Sequence, residues 1–490
     1  MKELTSRQIV LPTVGALAIL AGFGYHWLKP RPLKGIPHNP VTSILGDISE
    51  ITQILKRGDK TLYDYYEILV ERHGSITQLC AGNNSMLIVA DPAEVDRIIV
   101  KGKNIEAIRF ARIIYGRITP TGQIALPTDV MWKIHRRMFG PMLNQEYLSR
   151  MVNRISASAT SLVELRNAKL KLANGKAFSA ELDIKLAMLF NIGHVALGSP
   201  LECVESAQKS LSSPVSTSGQ VVEFENQATP PIYNSMRTLF THLEKKIKDA
   251  RKNDNREGDC ILDILLKREK EEGERLSQEE LLDELLLMFI GGQESTSATL
   301  FWFVKYMASD TDIQRRLHDE VCNVFGDDMA GLTLDALKDS ERVPILEAVV
   351  AETLRCAMLA GAVARYLTED EVIMGHHILK GTEIIIPISL MGMDRTAWGP
   401  DVKEWRPTRW LRSDGSFDPH AGPSGHPFGL GKRSCFGDRL AIVKLKVFIA
   451  VMSRAFRFKP VPEEVGSMHA FTRVTRQPKQ CYVLLDKWEA

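Results

Sequence analysis

Apolar positions follow three rhythms along this chain. From Ile9 to Leu28 they are nearly continuous, with no Asp, Glu, Lys or Arg across 20 residues. A helix of that length rises about 30 Å, the thickness of a bilayer's hydrocarbon core, so the run predicts a transmembrane anchor. Tyr25 and Trp27 stand where interfacial aromatic residues belong, and Lys29, Arg31 and Lys34 outweigh Lys2 and Arg7. That asymmetry sets the body of the chain in the cytosol. The competing reading is a cleaved signal peptide, whose apolar core is usually about 7–15 residues. This run is longer, and a basic, proline-rich stretch without a convincing small-residue cleavage site follows it.

Pro30, Pro32, Pro37 and Pro40 predict a stiff, extended linker. Short alternating or apolar runs at 75–81 and 86–90, separated by GNNS, predict a hairpin, and Asp91 is placed to cap a helix opened by Pro92. Between about 130 and 355 the period is helical, interrupted by a Ser, Thr, Gly and Pro-rich loop at about 210–231. Strand-like pieces (EVIMG, TEIIIPI) return past residue 365, and a last helical pattern begins at Asp438. The expectation is a tail at 1–8, a transmembrane helix at 9–28, a linker at 29–45 and one large domain at 46–490. That domain is mainly α with a small β portion.

Composition excludes some functions. A net charge of +2, with 44% hydrophobic and 25% charged residues, argues against a nucleic-acid binder. The 7 cysteines are scattered without a CxxC pair, which suits a reducing compartment and excludes a disulfide framework or thiolate zinc site.

Chemistry concentrates in FGLGKRSCFG, residues 428–437. Cys435 ends a glycine-rich loop immediately before the last helix, where the helix dipole and backbone N–H groups favour a thiolate. Gly429, Gly431 and Gly437 let amides approach the sulfur, and Arg433 adds a cation. The loop resembles the haem-binding loop of the cytochrome P-450 family, FGxGxRxCxG, matched by Phe428, Gly429, Gly431, Arg433, Cys435 and Gly437. The resemblance implies that Cys435 is the axial thiolate of a haem b iron.

Other segments resemble the same family. Glu352 and Arg355 lie three apart in an apolar helix, and Arg409 follows in WRPTRW. They match the family's ExxR and PxRW elements, which implies a buried Glu–Arg–Arg lock with a structural role. Gly291-Gly292 interrupt a strongly apolar helix and precede Glu294, Ser295 and Thr296. Glycines in a helix interior cost about 1 kcal/mol each, so a kink or a flat ligand is expected there. The family pattern [AG]Gx[DE]T implies an acid and an alcohol serving dioxygen activation. Here Ser295 stands at the threonine position, with Thr296 as its possible substitute. Trp132 and Arg136 match the family's WxxxR, which binds a haem propionate; Arg365 resembles another propionate arginine, and Gly392 stands where many relatives have histidine.

Lys133, His135, Arg137, Lys432, Lys444 and Lys446 flank these motifs and predict a basic patch for an acidic flavin domain. The chain ends soon after the last helix, so electrons are expected from a separate membrane-bound NADPH-dependent reductase. Leu359, Ala360, Ala362, Val363, the loop at about 104–127 and Ala470–Phe471 are expected to border a pocket for a lipophilic substrate. The function implied is a monooxygenase using O2, anchored in the endoplasmic reticulum membrane with its body in the cytosol, possibly in secondary metabolism. The alternatives are a haem-thiolate isomerase or dehydratase that needs no reductase, and a non-enzymatic haem or lipid carrier.

Overall fold

A computed structural model describes residues 24–489, apart from 108, 141–143, 200, 213–215, 225–228, 253–259, 274, 327 and 424. Residues 9–23 of the expected membrane span lie outside the described residues. Residues 24–28 are helical, and Tyr25, Trp27 and Leu28 are exposed. Among the described residues no helix is long and apolar enough to cross a membrane.

The chain divides into two compact units, Met1–Ile108 with Ala362–Pro387, and Arg109–Gly361 with Ile388–Ala490. The first holds a five-stranded sheet in the order Ile76–Ala81, Asn84–Val89, Glu383–Ile386, Val363–Leu367, Ile105–Ala107. The predicted hairpin forms its edge, with Ile76 opposite Val89 and Ala81 opposite Asn84. Ile384 and Ile385 run parallel to Leu87 and Ile88. Leu79, Ile88 and Ile385 close over Tyr65 and Leu69 of the helix Leu62–His73. The Asp91 carboxylate accepts from the Glu94 amide, and Pro92 occupies the first turn as expected.

The second unit is mainly helical. The helices used below are α1 (Val130–Phe139), α2 (Gln145–Ala173), α3 (Glu181–Leu197), α4 (Gln278–Met307), α5 (Thr311–Phe325), α6 (Pro344–Ala357) and α7 (Asp438–Ala455). A reciprocal cap between Ser277 and Glu280 starts α4, which is then buried along most of its length against α3, α6 and α7. Helix α7 is apolar nearly all round and buried between α2, α4, α5 and α6. The start of α6 is capped from a neighbour: Glu320 on α5 accepts from the Ile345 and Leu346 amides, both at 2.8 Å. Burial raises the Glu320 carboxyl to about 7 despite those bonds.

The stretch read as a loop at about 210–231 contains two short strands. Ser216–Ser218 and Val221–Glu223 extend a sheet of Arg457–Lys459, Tyr482–Asp486 and Ala177–Ser179. Three-residue strands carry too little period-two signal to be seen alone; their partners, distant in sequence, define them. A separate hairpin pairs Ala470–Thr472 with Arg476–Pro478.

Candidate functional site

Cys435 sits at the mouth of α7, with Gly437 as the N-cap. The loop before it turns through Gly429 and Gly431, both at positive φ (74° and 67°), where a side chain would strain the backbone. The Cys435 amide donates to the Phe428 carbonyl at 2.7 Å, which closes the loop on itself. As a residue Cys435 is exposed, unlike the buried Cys80, Cys203, Cys260, Cys356 and Cys481, although the surrounding loop shields its sulfur from solvent. The sequence reading put thiolate stabilisation first. In the folded chain burial pushes the thiol up, and the bond from Gly437 opposes it. The difference arises because stripping solvent from the sulfur outweighs one backbone donor. A coordinated metal reverses this balance, since a ligating thiol is deprotonated outright.

Helix α1 delivers Trp132 and Arg136 to this loop. The Arg136 Nη2 donates to the Lys432 and Ser434 carbonyls (3.3 and 3.2 Å), and its guanidinium lies over the Trp132 and Phe436 rings. Arg433 covers the same Trp132 ring at 4.6 Å. Its N–H groups go to Thr128 Oγ1 and to the Gln123 and Leu126 carbonyls (2.8–2.9 Å). In this structure both arginines therefore tie the cysteine loop to α1 and the preceding segment. Arg365 belongs to the first unit, on the strand Val363–Leu367, where it is buried and donates to the Ala364 carbonyl.

The Glu352 carboxylate accepts from Arg355 twice (2.7 and 2.8 Å), from Arg409 Nε (3.2 Å), from the Trp410 indole (2.9 Å) and from the Arg406 amide (2.9 Å). Arg355 also donates to the Gly392 and Val402 carbonyls, and Arg409 to Trp398 and Asp401. Both charges are thus paired and hydrogen-bonded, as burial demands.

Helix α4 runs unbroken through Gly291 and Gly292. A Cβ on Gly291 would meet nothing within 4 Å, whereas one on Gly292 would stand 2.8 Å from Ile192 Cδ1 on α3. A side chain at Gly292 would have to push aside the tip of Ile192, while Gly291 presents a bare backbone to open space. Ser295 Oγ donates to the Gly291 carbonyl at 2.7 Å. The buried Lys444 Nζ donates to the Gly292 carbonyl, also at 2.7 Å. Glu294, half-buried, accepts from Gln477 and from Thr475 (3.5 Å) on the C-terminal hairpin. Thr296 is buried.

The predicted basic patch is corrected on three counts. Lys444 and Lys446 are buried, the latter against Glu347 and the Leu337 carbonyl, and burial lowers Lys444 to about 7. His135 is fully buried between Glu284 (2.7 Å) and Glu280. The apolar surround of α7 carried the signal: a helix that is hydrophobic all round is a core helix, and its lysines face inward. Lys133, Arg137, Lys432 and Arg439 are the exposed cations of these segments. Sequence reasoning also missed Gln477 and Thr475, and the Glu284 clamp on His135 and Gln123. No local motif marks those residues.

A cysteine just before a helix, a loop closed on itself through two left-handed glycines, and the Trp132 and Phe436 rings held by Arg136 and Arg433 suit the thiolate side of an iron porphyrin. This is the chemistry of a haem-thiolate protein. The Cytochrome P450 family model matches residues 40–485, and the chain belongs to that family. It is 23% identical to a cytochrome P450 monooxygenase of Pestalotiopsis microspora (94% of this chain, 95% of the relative). It is 26% identical to one of Penicillium crustosum (98% and 96%), and 26% identical to the Bos taurus cytochrome P450 3A28 (84% of each). The protein is thus a haem-thiolate monooxygenase that uses dioxygen and a redox partner.

Proposed function

We propose that Cys435 is the thiolate ligand and that the protein inserts one oxygen atom into a lipophilic organic substrate. The observation that carries the assignment is the closed 428–437 loop, which sets Cys435 at the start of α7 and is tied to Trp132 on α1 through Arg136 and Arg433. Trp132, Arg136 and Arg433 are the residues of the second unit assigned to the haem's acidic edges. The haem supplies the dioxygen chemistry when bound. The rest falls to this chain's own side chains. Glu294 holds and moves a proton on α4, with Ser295 as the adjacent hydroxyl donor and Thr296 as the second candidate. Glu352, Arg355 and Arg409 fix the core beneath α6 and take no part in the chemistry.

Electrons come from a separate NADPH-dependent reductase, for which Lys133, Arg137, Lys432 and Arg439 offer a cationic face. The charge-free run at 9–28 supports a single-pass anchor in the endoplasmic reticulum membrane, with the catalytic unit on the cytosolic side. The test is the absorption spectrum of dithionite-reduced protein with carbon monoxide. Wild type should give a strongly red-shifted Soret band, and Cys435→Ala should lose it. A Cys435→Ala protein that keeps the thiolate spectrum would overturn the assignment.

A further inference from the structure

The acid and the hydroxyl assigned to proton delivery are both committed elsewhere in this structure. Ser295 Oγ is spent on the Gly291 carbonyl at 2.7 Å. Glu294 Oε1 is gripped by Gln477 Nε2 and approached by Thr475 Oγ1 at 3.5 Å, and Gln477 also donates to Thr475 Oγ1 at 3.1 Å. Gln477 is 3% and Thr475 7% exposed, so the two donors that meet the half-buried Glu294 are themselves sheltered from water. An amide donating to a carboxylate makes a charge-assisted hydrogen bond, stronger than a neutral one.

The hairpin that supplies these donors is firmly seated at its return strand. The Arg476 amide donates to the Leu359 carbonyl (3.0 Å), its Nη1 to the Ala357 carbonyl (3.0 Å), and its own carbonyl accepts from the Trp302 indole on α4 (3.2 Å). Its outgoing strand, Ala470–Thr472, contains Ala470 and Phe471, which the sequence reading assigns to the border of the substrate pocket. Phe471 there is half-buried, with Arg473 over its ring at 5.3 Å. The hairpin thus touches the proton-carrying helix with one strand and, on that reading, the substrate with the other.

We propose that Gln477, supported by Thr475, is a positioning residue that parks Glu294 on the C-terminal hairpin. Withdrawal of the Gln477 side chain from the carboxylate releases the acid for proton delivery. The clasp keeps the enzyme from consuming reductant when no substrate is present. This rests on the reading of Glu294 as the proton carrier, and the test separates the two.

Full-length holoprotein is reconstituted with a purified NADPH-dependent reductase in phosphatidylcholine vesicles, without substrate. NADPH oxidation and hydrogen peroxide release are followed across pH, and the carbon monoxide spectrum verifies the holoprotein. Gln477→Leu should raise both rates roughly tenfold, the population shift expected from losing one charge-assisted bond. Thr475→Val, which keeps shape and loses only the weaker contact, should give a smaller rise in the same direction and serves if Gln477→Leu folds poorly. The double variant Gln477→Leu with Glu294→Gln should fall back to the wild-type rate or below. Hydrogen exchange of residues 470–478 should accelerate in both Gln477→Leu and Glu294→Gln, because each removes one end of the clasp. Unchanged substrate-free rates in Gln477→Leu and Thr475→Val overturn the clasp while leaving the role of Glu294 intact. If the double variant Gln477→Leu with Glu294→Gln keeps the raised rates of Gln477→Leu, the proton-carrier reading falls, and the clasp with it.

Discussion

Lys444 offers a quantitative test of the packing around α4. It is 1% exposed, no carboxylate is among the influences on its charge, and its Nζ reaches the Gly292 carbonyl at 2.7 Å. Burial alone lowers it to about 7. In the unfolded chain a lysine titrates near 10.4. Between those values the unfolded chain binds a proton that the folded chain has released, so stability rises as pH increases through this window. At its lower end the cost of burying the cation reaches roughly 4 kcal/mol, at about 1.4 kcal/mol per tenfold change in the protonation equilibrium. Lys444→Met removes that cost, keeps most of the side-chain volume, and sacrifices one hydrogen bond from a charged donor, worth about 1.5–3 kcal/mol. The variant should therefore be more stable than wild type by about 1–2 kcal/mol near pH 7, with the advantage vanishing by about pH 10. The assay is the urea midpoint of holoprotein, followed by Soret absorbance at both pH values. A variant less stable than wild type near neutrality would refute the reasoning. So would one that keeps the wild-type rise in midpoint with pH, because the proton would then belong to another group.

Two further predictions concern the same core. Glu352→Gln leaves two buried guanidiniums facing a neutral amide and should cost about 3–5 kcal/mol, seen as a large loss of folded holoprotein per milligram; haem content equal to wild type would count against a lock. Gly291→Ala should raise the urea midpoint by up to about 1 kcal/mol from helix propensity, since its methyl meets open space, whereas Gly292→Ala should lose that gain against Ile192. Equal effects at the two positions would show that the glycines are not distinguished by packing.

What the sequence determined by itself was whatever short-range physics controls. The helix around Glu352 and Arg355, the hairpin at 76–89, the capped start at Asp91–Pro92 and the loop that sets Cys435 before α7 all follow from period, caps and glycines. Charge was where local reading failed. Lys444, Lys446 and His135 look like surface cations in a string of letters, yet α7 is enclosed by other helices and α1 meets Glu280 and Glu284 of α4, so all three are buried. The hairpin grip on Glu294 joins positions 181 and 183 residues apart, and the Glu320 cap on α6 joins positions 25 and 26 apart. Such pairs have no periodicity to betray them. They exist because a buried carboxylate must find donors wherever the tertiary fold brings them, and only that fold decides which donors arrive.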